Sequence, residues 1–224
     1  MSLELIVKKN NEGLKLVIDG QYRAAEQCLK NALTSLKCIM EQQEYACATL
    51  DPCHVHILDN KSTVFSADTS QYIYNNLLEI DVKANHLLHS AERSRSGFSL
   101  PAIIIFNLSL AHHLDANKDK SIGRLHQSIM LYKKARKAIS PRSNTAVNDQ
   151  HRQKVNMISL GIMNNIGTIY REFGAYQHAQ HCFDYIKNAI TKHSNSFTLR
   201  SSNSLNEVMM NAWLLEEPQV ALAA

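Results

Sequence analysis

The side chains best suited to chemistry form a histidine and cysteine cluster late in the chain. His178, His181 and Cys182 lie within one turn of a predicted helix, and two such residues one turn apart can share a zinc ion. Cys53, His54 and His56 could supply further ligands. The spacing lacks the second ligand pair that makes zinc motifs specific. We therefore expect Cys182 to pack among apolar residues, the histidines to face solvent, and no metal or other cofactor to be bound.

No pattern of catalytic residues accompanies this cluster. The chain has no glycine-rich phosphate loop, no Gly-x-Ser-x-Gly sequence and no His-Glu-x-x-His sequence. Serine, histidine and aspartate are frequent, but no local signature joins them. The sequence therefore favours a protein that is not an enzyme.

The middle of the chain is locally basic. Asp119 is the only acidic residue within the set Lys118, Lys120, Arg124, Lys133, Lys134, Arg136, Lys137 and Arg142. A basic stripe can bind a phosphate backbone, but no aromatic residues alternate with these charges as a stacking platform for bases would require. We expect a solvated helix face, with an acidic peptide as the first alternative and nucleic acid as the least favoured one.

Helices are predicted to position the late histidine and cysteine cluster and the basic residues, and the segment 162–190 shows how. Its apolar residues recur at helical spacing in two runs, Ile162, Ile166, Ile169, Tyr170 and Phe173, then Tyr176, Ala179, Phe183, Ile186 and Ile190. Gly174 separates the runs and suits the left-handed residue that ends a helix. The small residues Gly167 and Ala179 would let the two helices cross closely, with Tyr170 and Phe183 filling the flanks.

This arrangement resembles the tetratricopeptide repeat, which places Leu-Gly, Tyr, Gly-x-Tyr, Ala, Phe and Ala at fixed spacing within about 34 residues. The matching residues are Ile166-Gly167, Tyr170, Gly174-Ala175-Tyr176, Ala179 and Phe183, with Ile186 in place of the final Ala. The same frame recurs near the start of the chain in Glu12-Gly13, Leu16, Gly20-Gln21-Tyr22, Ala25, Leu29 and Ala32.

A degraded third copy lies between these two. In the segment 107–112, Ser109 stands for the Gly and His112 for the Tyr, so we expect His112 to pack in an aromatic slot. A long turn without Gly-x-Tyr is predicted at about Asp115 to Ser121. The second helix of this copy should carry Leu125, Ser128, Ile129, Tyr132, Ala135 and Ile139.

The resemblance implies a concave groove lined by the first helix of each repeat. An asparagine stands two residues before the packing Gly or Ser in each copy, at Asn11, Asn107 and Asn165. In this family such an asparagine points into the groove, where its amide can pair with the backbone of an extended peptide. The alternative is an asparagine that only satisfies local backbone groups. Candidate neighbours in the groove are Asn10, Asn164, Phe106, His113 and Arg171.

Members of this family that bind chaperone tails hold a carboxylate with Lys, Asn and Arg. The corresponding slots here contain Asn10, Leu14, Gly161 and Asn165. The resemblance therefore does not extend to a chaperone-tail adaptor, although Arg171 and His113 could still attract a carboxylate.

Composition is compatible with such a helical repeat protein. The chain has 224 residues, 45% hydrophobic and 20% charged, with a formal net charge of +4 and only 7 Gly and 4 Pro. Five cysteines without regular spacing suggest a reducing compartment. No stretch is long enough for a signal peptide core or a membrane span. We expect a soluble intracellular protein, cytoplasmic or nuclear.

We predict a single all-α domain, a right-handed α-solenoid of about three helical hairpins. The first repeat covers 1–50, an insertion 51–99, the degraded repeat 100–140, the third repeat 149–192 and a C-terminal capping helix 203–217. Within the insertion, 54–58 and 63–65 flank a turn-forming cluster and could form a small β-hairpin. Glu79 to Arg93 could be a short helix, and Thr191 to Ser204 a loop.

Three hypotheses on function follow. The first is a non-enzymatic module that binds a peptide or helix of a partner protein in the concave groove. The second adds that the insertion from Cys53 to Asp81 folds over the groove and must move before a partner binds. The alternative class is a metal-binding or nucleic-acid-binding regulatory protein. Neither the partner nor the oligomeric state can be read from the sequence.

Overall fold

A computed structural model describes residues 2–42, 49–50, 55–58, 73–81, 98–139, 149–193 and 203–214. These residues are mostly helical and divide into two compact units. Unit 1 comprises Met1–Ser62 and Asn75–Ser159, and unit 2 comprises Thr63–Tyr74 and Leu160–Ala224. The predicted all-α class is confirmed for the described part of the chain, with short strands added to it.

Unit 1 contains two helical hairpins. Helix α1 (Leu3–Ile18) packs against α2 (Tyr22–Gln42), and α3 (Leu100–Asp119) packs against α4 (Ile122–Ile139). Helix α2 also packs on α3, which joins the two hairpins. All six residues that α4 was expected to carry on its packed face are buried.

The third hairpin belongs to unit 2. Helix α5 (Asp149–Glu172) begins in unit 1 and ends in unit 2, where α6 (Tyr176–His193) follows it. Helix α7 (Asn203–Leu214) packs on α6 and lies within the range 203–217 where a C-terminal helix was predicted. The predicted loop from Thr191 was wrong at its start, because α6 continues to His193.

All three hairpins turn in the same way. Within two residues after the end of each first helix, one residue has a left-handed backbone, with φ of 71° at Gly20, 52° at Lys120 and 70° at Gly174. The next residue donates its N–H to a carbonyl five residues back, as from Gln21 to Leu16 at 2.8 Å. The equivalent bonds join Ser121 to Ala116 and Ala175 to Tyr170, both at 2.9 Å. This double feature is the Schellman ending of a helix.

The long turn predicted at Asp115 to Ser121 was wrong. Helix α3 continues to Asp119, and Lys120 takes the left-handed position that glycine holds in the other hairpins. Thirteen residues separate Asn107 from Lys120, whereas nine separate Asn11 from Gly20. The extra four residues add about one helical turn, so Asn107 keeps nearly the same helix face.

Glycine permits the close helix crossings in the first and last hairpins. A Cβ atom on Gly13 would lie 2.8 Å from Cγ of Leu29, and one on Gly167 would lie 2.8 Å from Cζ of Phe183. Leu29 and Phe183 are both buried. Contacts this short require a neighbour to move, so the absence of a side chain sets the distance between the helices. The second-helix residues Ala25 and Ala179 are fully buried.

The predicted β-hairpin has a different partner strand. Strand β2 (Val55–Leu58) pairs antiparallel with β3 (Leu77–Ile80), with Val55 opposite Ile80 and Leu58 opposite Leu77. The segment 63–65 lies outside the described residues. The helix considered from Glu79 was wrong at its beginning, because Glu79 and Ile80 belong to β3. Two further short strands, β1 (Thr49–Leu50) and β4 (Phe98–Ser99), also pair antiparallel.

Candidate functional site

In unit 1, the side-chain amide of Asn107 binds both the backbone N–H and the backbone carbonyl of Leu78. Its Oδ1 accepts the N–H of Leu78 at 2.9 Å, and its Nδ2 donates to the carbonyl of Leu78 at 2.9 Å. Asn107 lies on α3 and is fully buried. A planar amide matches the donor and acceptor of one extended residue, so Asn107 acts as one rung of a β-ladder.

Asn11 on α1 binds Ile80 in the same way. Its Nδ2 donates to the carbonyl of Ile80 at 2.6 Å, and its Oδ1 accepts the N–H of Ile80 at 3.2 Å. The neighbouring Asn10 connects the two asparagines, because its Oδ1 accepts from Asn107 at 3.0 Å and its Nδ2 donates to Oδ1 of Asn11 at 3.0 Å. The same Nδ2 also lies 3.3 Å from the carbonyl oxygen of Leu78. Asn10 is fully buried, so these bonds form away from water.

Unit 2 repeats the arrangement within itself. Asn165 on α5 accepts the N–H of Tyr74 at 2.7 Å and donates to the carbonyl of Tyr74 at 2.8 Å. Asn164 donates to Oδ1 of Asn165 at 3.3 Å and accepts from Asn211 of α7 at 2.7 Å. Asn211 is a participant that the sequence did not indicate, because nothing in its spacing relates it to the repeats.

The geometry of strand β3 explains why alternate residues are bound. Successive residues of an extended strand direct their backbone groups to opposite edges. Leu78 and Ile80 direct theirs to the asparagines, so the other edge of β3 is left to pair with β2. The predicted property of the asparagines, to pair with an extended backbone, is therefore present in the structure. The backbone that they bind belongs to the chain itself.

The other residues predicted to line the groove, Phe106, His113 and Arg171, take no part in the asparagines' bonds to the extended segment in the described contacts. Phe106 and His113 are both fully buried and contact Tyr132 of α4, with ring centroids 6.2 Å and 5.9 Å apart. Burial lowers the pKa of His113 to about 3, so this ring is neutral in the folded protein. These two residues belong to the packing of α3 on α4. Arg171 is partly exposed near the end of α5.

A buried charge cluster that the sequence did not reveal joins the two hairpins of unit 1. The guanidinium of Arg124 on α4 contacts both Glu26 of α2 and Asp115 of α3. His112 places Nδ1 3.2 Å from Oε1 of Glu26, so it packs in a buried but polar slot. Burial lowers the pKa of His112, although Glu26 opposes this shift. The periodicity gave no sign of the cluster, because its members come from three helices.

The histidine and cysteine cluster does not converge. Cys182 is buried, and its Cβ would lie 3.2 Å from a Cβ on Gly167. His178 and His181 are exposed, and the ring of His178 lies 5.1 Å from that of Tyr170. Within the described residues, no three His, Cys, Asp or Glu side chains are placed to hold a metal ion. Cys53 and His54 lie outside the described part of the chain.

The basic residues of α4 lie where a solvated face was expected. Lys133, Lys134 and Lys137 are exposed, whereas Arg124 is partly buried in the charge cluster. Among the helices that the structure describes, none is long and apolar enough to cross a membrane.

The sequence contained one signal for the bound segment, the β-prone triplet Tyr72-Ile73-Tyr74. Nothing in the sequence paired that triplet with an asparagine. Comparisons with models of protein families, with curated proteins and with solved structures found no match to this chain.

Proposed function

We propose that this protein is a non-enzymatic protein-interaction module that binds an extended segment of a partner through its asparagine side chains. In this proposal the first helices of tetratricopeptide-like hairpins provide the binding surface. The chain's own backbone occupies the partner's place, at Leu78 and Ile80 in unit 1 and at Tyr74 in unit 2. One observation carries the proposal: Asn107 and Asn11 each satisfy both backbone groups of one residue in an extended segment.

Binding of this kind selects conformation before it selects sequence. An amide that pairs with N–H and C=O is indifferent to the side chain, so any extended non-proline residue could take the place of Leu78 or Ile80. The apolar side chains then add affinity. Leu77 and Leu78 are fully buried, and Ile80 is 1% exposed. A partner segment should accordingly be extended and carry branched apolar residues at these places.

The chain's own segment competes with any partner segment for the asparagines and so lowers the partner's apparent affinity. A covalently linked segment competes at an effective concentration of roughly millimolar when its linkers are short and flexible. A partner with the same contacts therefore exchanges poorly unless the segment is released, and its apparent affinity falls by the fraction of molecules that are closed. Partner binding would therefore increase under any change that weakens the contacts of residues 73–80.

The test uses a fluorescent peptide of residues 73–81 and a chain carrying Leu78→Pro. Proline has no N–H to donate to Asn107 and disfavours the bound geometry, so the chain's own segment is weakened while the asparagines remain. Anisotropy titration should show tight binding of the wild-type peptide to the Leu78→Pro chain and weak binding to the wild-type chain. Adding Asn11→Ala and Asn107→Ala should abolish the binding.

The matched control for these changes is Asn188→Ala in the same Leu78→Pro background, because Asn188 is exposed on α6. This variant should bind as the Leu78→Pro chain does. If a folded Leu78→Pro chain bound no peptide, the segment would be a permanent part of the structure and the proposal would be wrong.

A further inference from the structure

Gly161, in the middle of α5, lies directly beneath the ring of Tyr74. A Cβ atom on Gly161 would lie 2.5 Å from Cγ and 2.5 Å from Cε1 of Tyr74, well inside van der Waals contact. Gly161 is buried, and Tyr74 is 1% exposed. Both residues belong to unit 2. The ring therefore rests on the bare backbone of the helix, in a slot that any side chain at 161 would fill.

Glycine at this place is unfavourable for the helix itself. In a helix interior it is among the least favourable residues, because it loses the most backbone freedom on folding. At the two other peptide-binding asparagines, the residue one turn earlier is branched and apolar, Val7 before Asn11 and Ile103 before Asn107. Both of these side chains are fully buried. Only Asn165, among these three asparagines, has a glycine one helical turn earlier, and this leaves a space for a side chain of the bound segment.

Gly161 and Asn165 are four residues apart on one helix and so share a face. Asn165 binds the N–H and the carbonyl of Tyr74, while Gly161 receives its ring. One residue of the bound segment is therefore recognised at its backbone and at its side chain together. Asn164, which accepts from Asn211 at 2.7 Å, donates to Oδ1 of Asn165 and helps to orient it.

We propose that Gly161 and Asn165 form a subsite that selects an aromatic residue in the partner segment. This inference rests on the proposed function and adds sequence specificity to it: the partner carries a Tyr or Phe at the residue whose backbone pairs with Asn165. The slot contacts ring carbons, so phenylalanine fits as well as tyrosine does. Leucine leaves part of the slot empty, and alanine leaves all of it empty.

The experiment titrates four fluorescent peptides of residues 73–81, with Tyr, Phe, Leu or Ala at position 74, into the full chain carrying Tyr74→Ala and Leu78→Pro. These two changes empty the slot and weaken the chain's own segment. Tyr and Phe peptides should bind within about threefold of each other. The Ala peptide should bind at least about thirtyfold more weakly, which is the loss expected when an aromatic anchor is removed from a buried pocket.

The reciprocal variant adds Gly161→Ala to that chain. The new Cβ fills the slot, so the preference for Tyr over Ala peptide should fall to within about threefold. Alanine is a better helix former than glycine, and the variant should unfold at no lower urea concentration than its parent. A loss of selectivity therefore cannot come from unfolding of α5.

Each outcome has a distinct meaning. Equal affinity for all four peptides overturns the aromatic subsite and leaves the proposed function standing. No binding of any peptide overturns both. As a second measurement, Gly161→Ala in the otherwise wild-type chain should speed amide exchange at 73–74 by at least about tenfold without affecting α6; unchanged exchange there would also overturn the subsite.

Discussion

Replacement of Asn107 by alanine is the most direct test of the asparagine rungs. The change removes two bonds to the backbone of Leu78, each 2.9 Å long, and one bond of 3.0 Å to Asn10. All three are buried, and the net contribution of such a bond is about 1 kcal/mol. We therefore expect residues 73–80 to open about 3 kcal/mol more easily, because water can satisfy the freed backbone groups only after the segment detaches.

The assay is native-state hydrogen exchange of the peptide that covers 73–81. A loss of about 3 kcal/mol corresponds to roughly a hundredfold faster exchange of the Leu78 amide. Helices α2 and α4 should keep their protection, because their packing does not involve Asn107's amide. The exposed Asn188→Ala substitution is the control and should change neither region.

Replacement of Asn107 by aspartate sharpens the same test. Aspartate keeps an acceptor for the N–H of Leu78 but directs a charged oxygen at the Leu78 carbonyl and at Oδ1 of Asn10. Burial of that charge should make Asn107→Asp at least as disruptive as Asn107→Ala. Unchanged hydrogen-exchange protection of 73–80 in both variants would refute the claim that the asparagine side chains hold this segment in place.

Three further predictions concern stability, measured by urea unfolding. Gly13→Ala should destabilise by about 1–2 kcal/mol because its Cβ would meet Leu29, whereas Gly123→Ala, with nothing within 4 Å of its Cβ, should stabilise by up to about 1 kcal/mol; equal effects would contradict the close crossing. Lys120→Gly should stabilise by roughly 0.5–1 kcal/mol, because it relieves a left-handed backbone at φ 52°, and a loss of stability would count against that turn. His113 has its pKa lowered to about 3, so the unfolded chain takes up the proton first as pH falls below about 6.5, and stability should drop by about 2 kcal/mol between pH 7.5 and pH 5. His113→Phe should remove that part of the pH dependence, and an unchanged slope would show that the ring titrates normally.

The sequence predicted those elements whose causes are local. Helical spacing located the buried face of α4, and glycines located the turns at Gly20 and Gly174. The turn at Lys120 was not predicted, because a lysine does not indicate a left-handed backbone. The surrounding hairpin imposes that conformation. The resulting error in the length of α3 has the same origin.

The recurrence of Asn11, Asn107 and Asn165 and their capacity to pair with an extended backbone were determined by the sequence. The identity of that backbone was decided by tertiary structure, because the bonded residues are separated by 69, 29 and 91 positions along the chain. Side-chain period and turn residues carry no information across such distances, and short strands such as β2 and β3 choose partners by burial and register. Tertiary structure also decided the role of Gly161, because only the fold places the ring of Tyr74 against this position in the middle of α5.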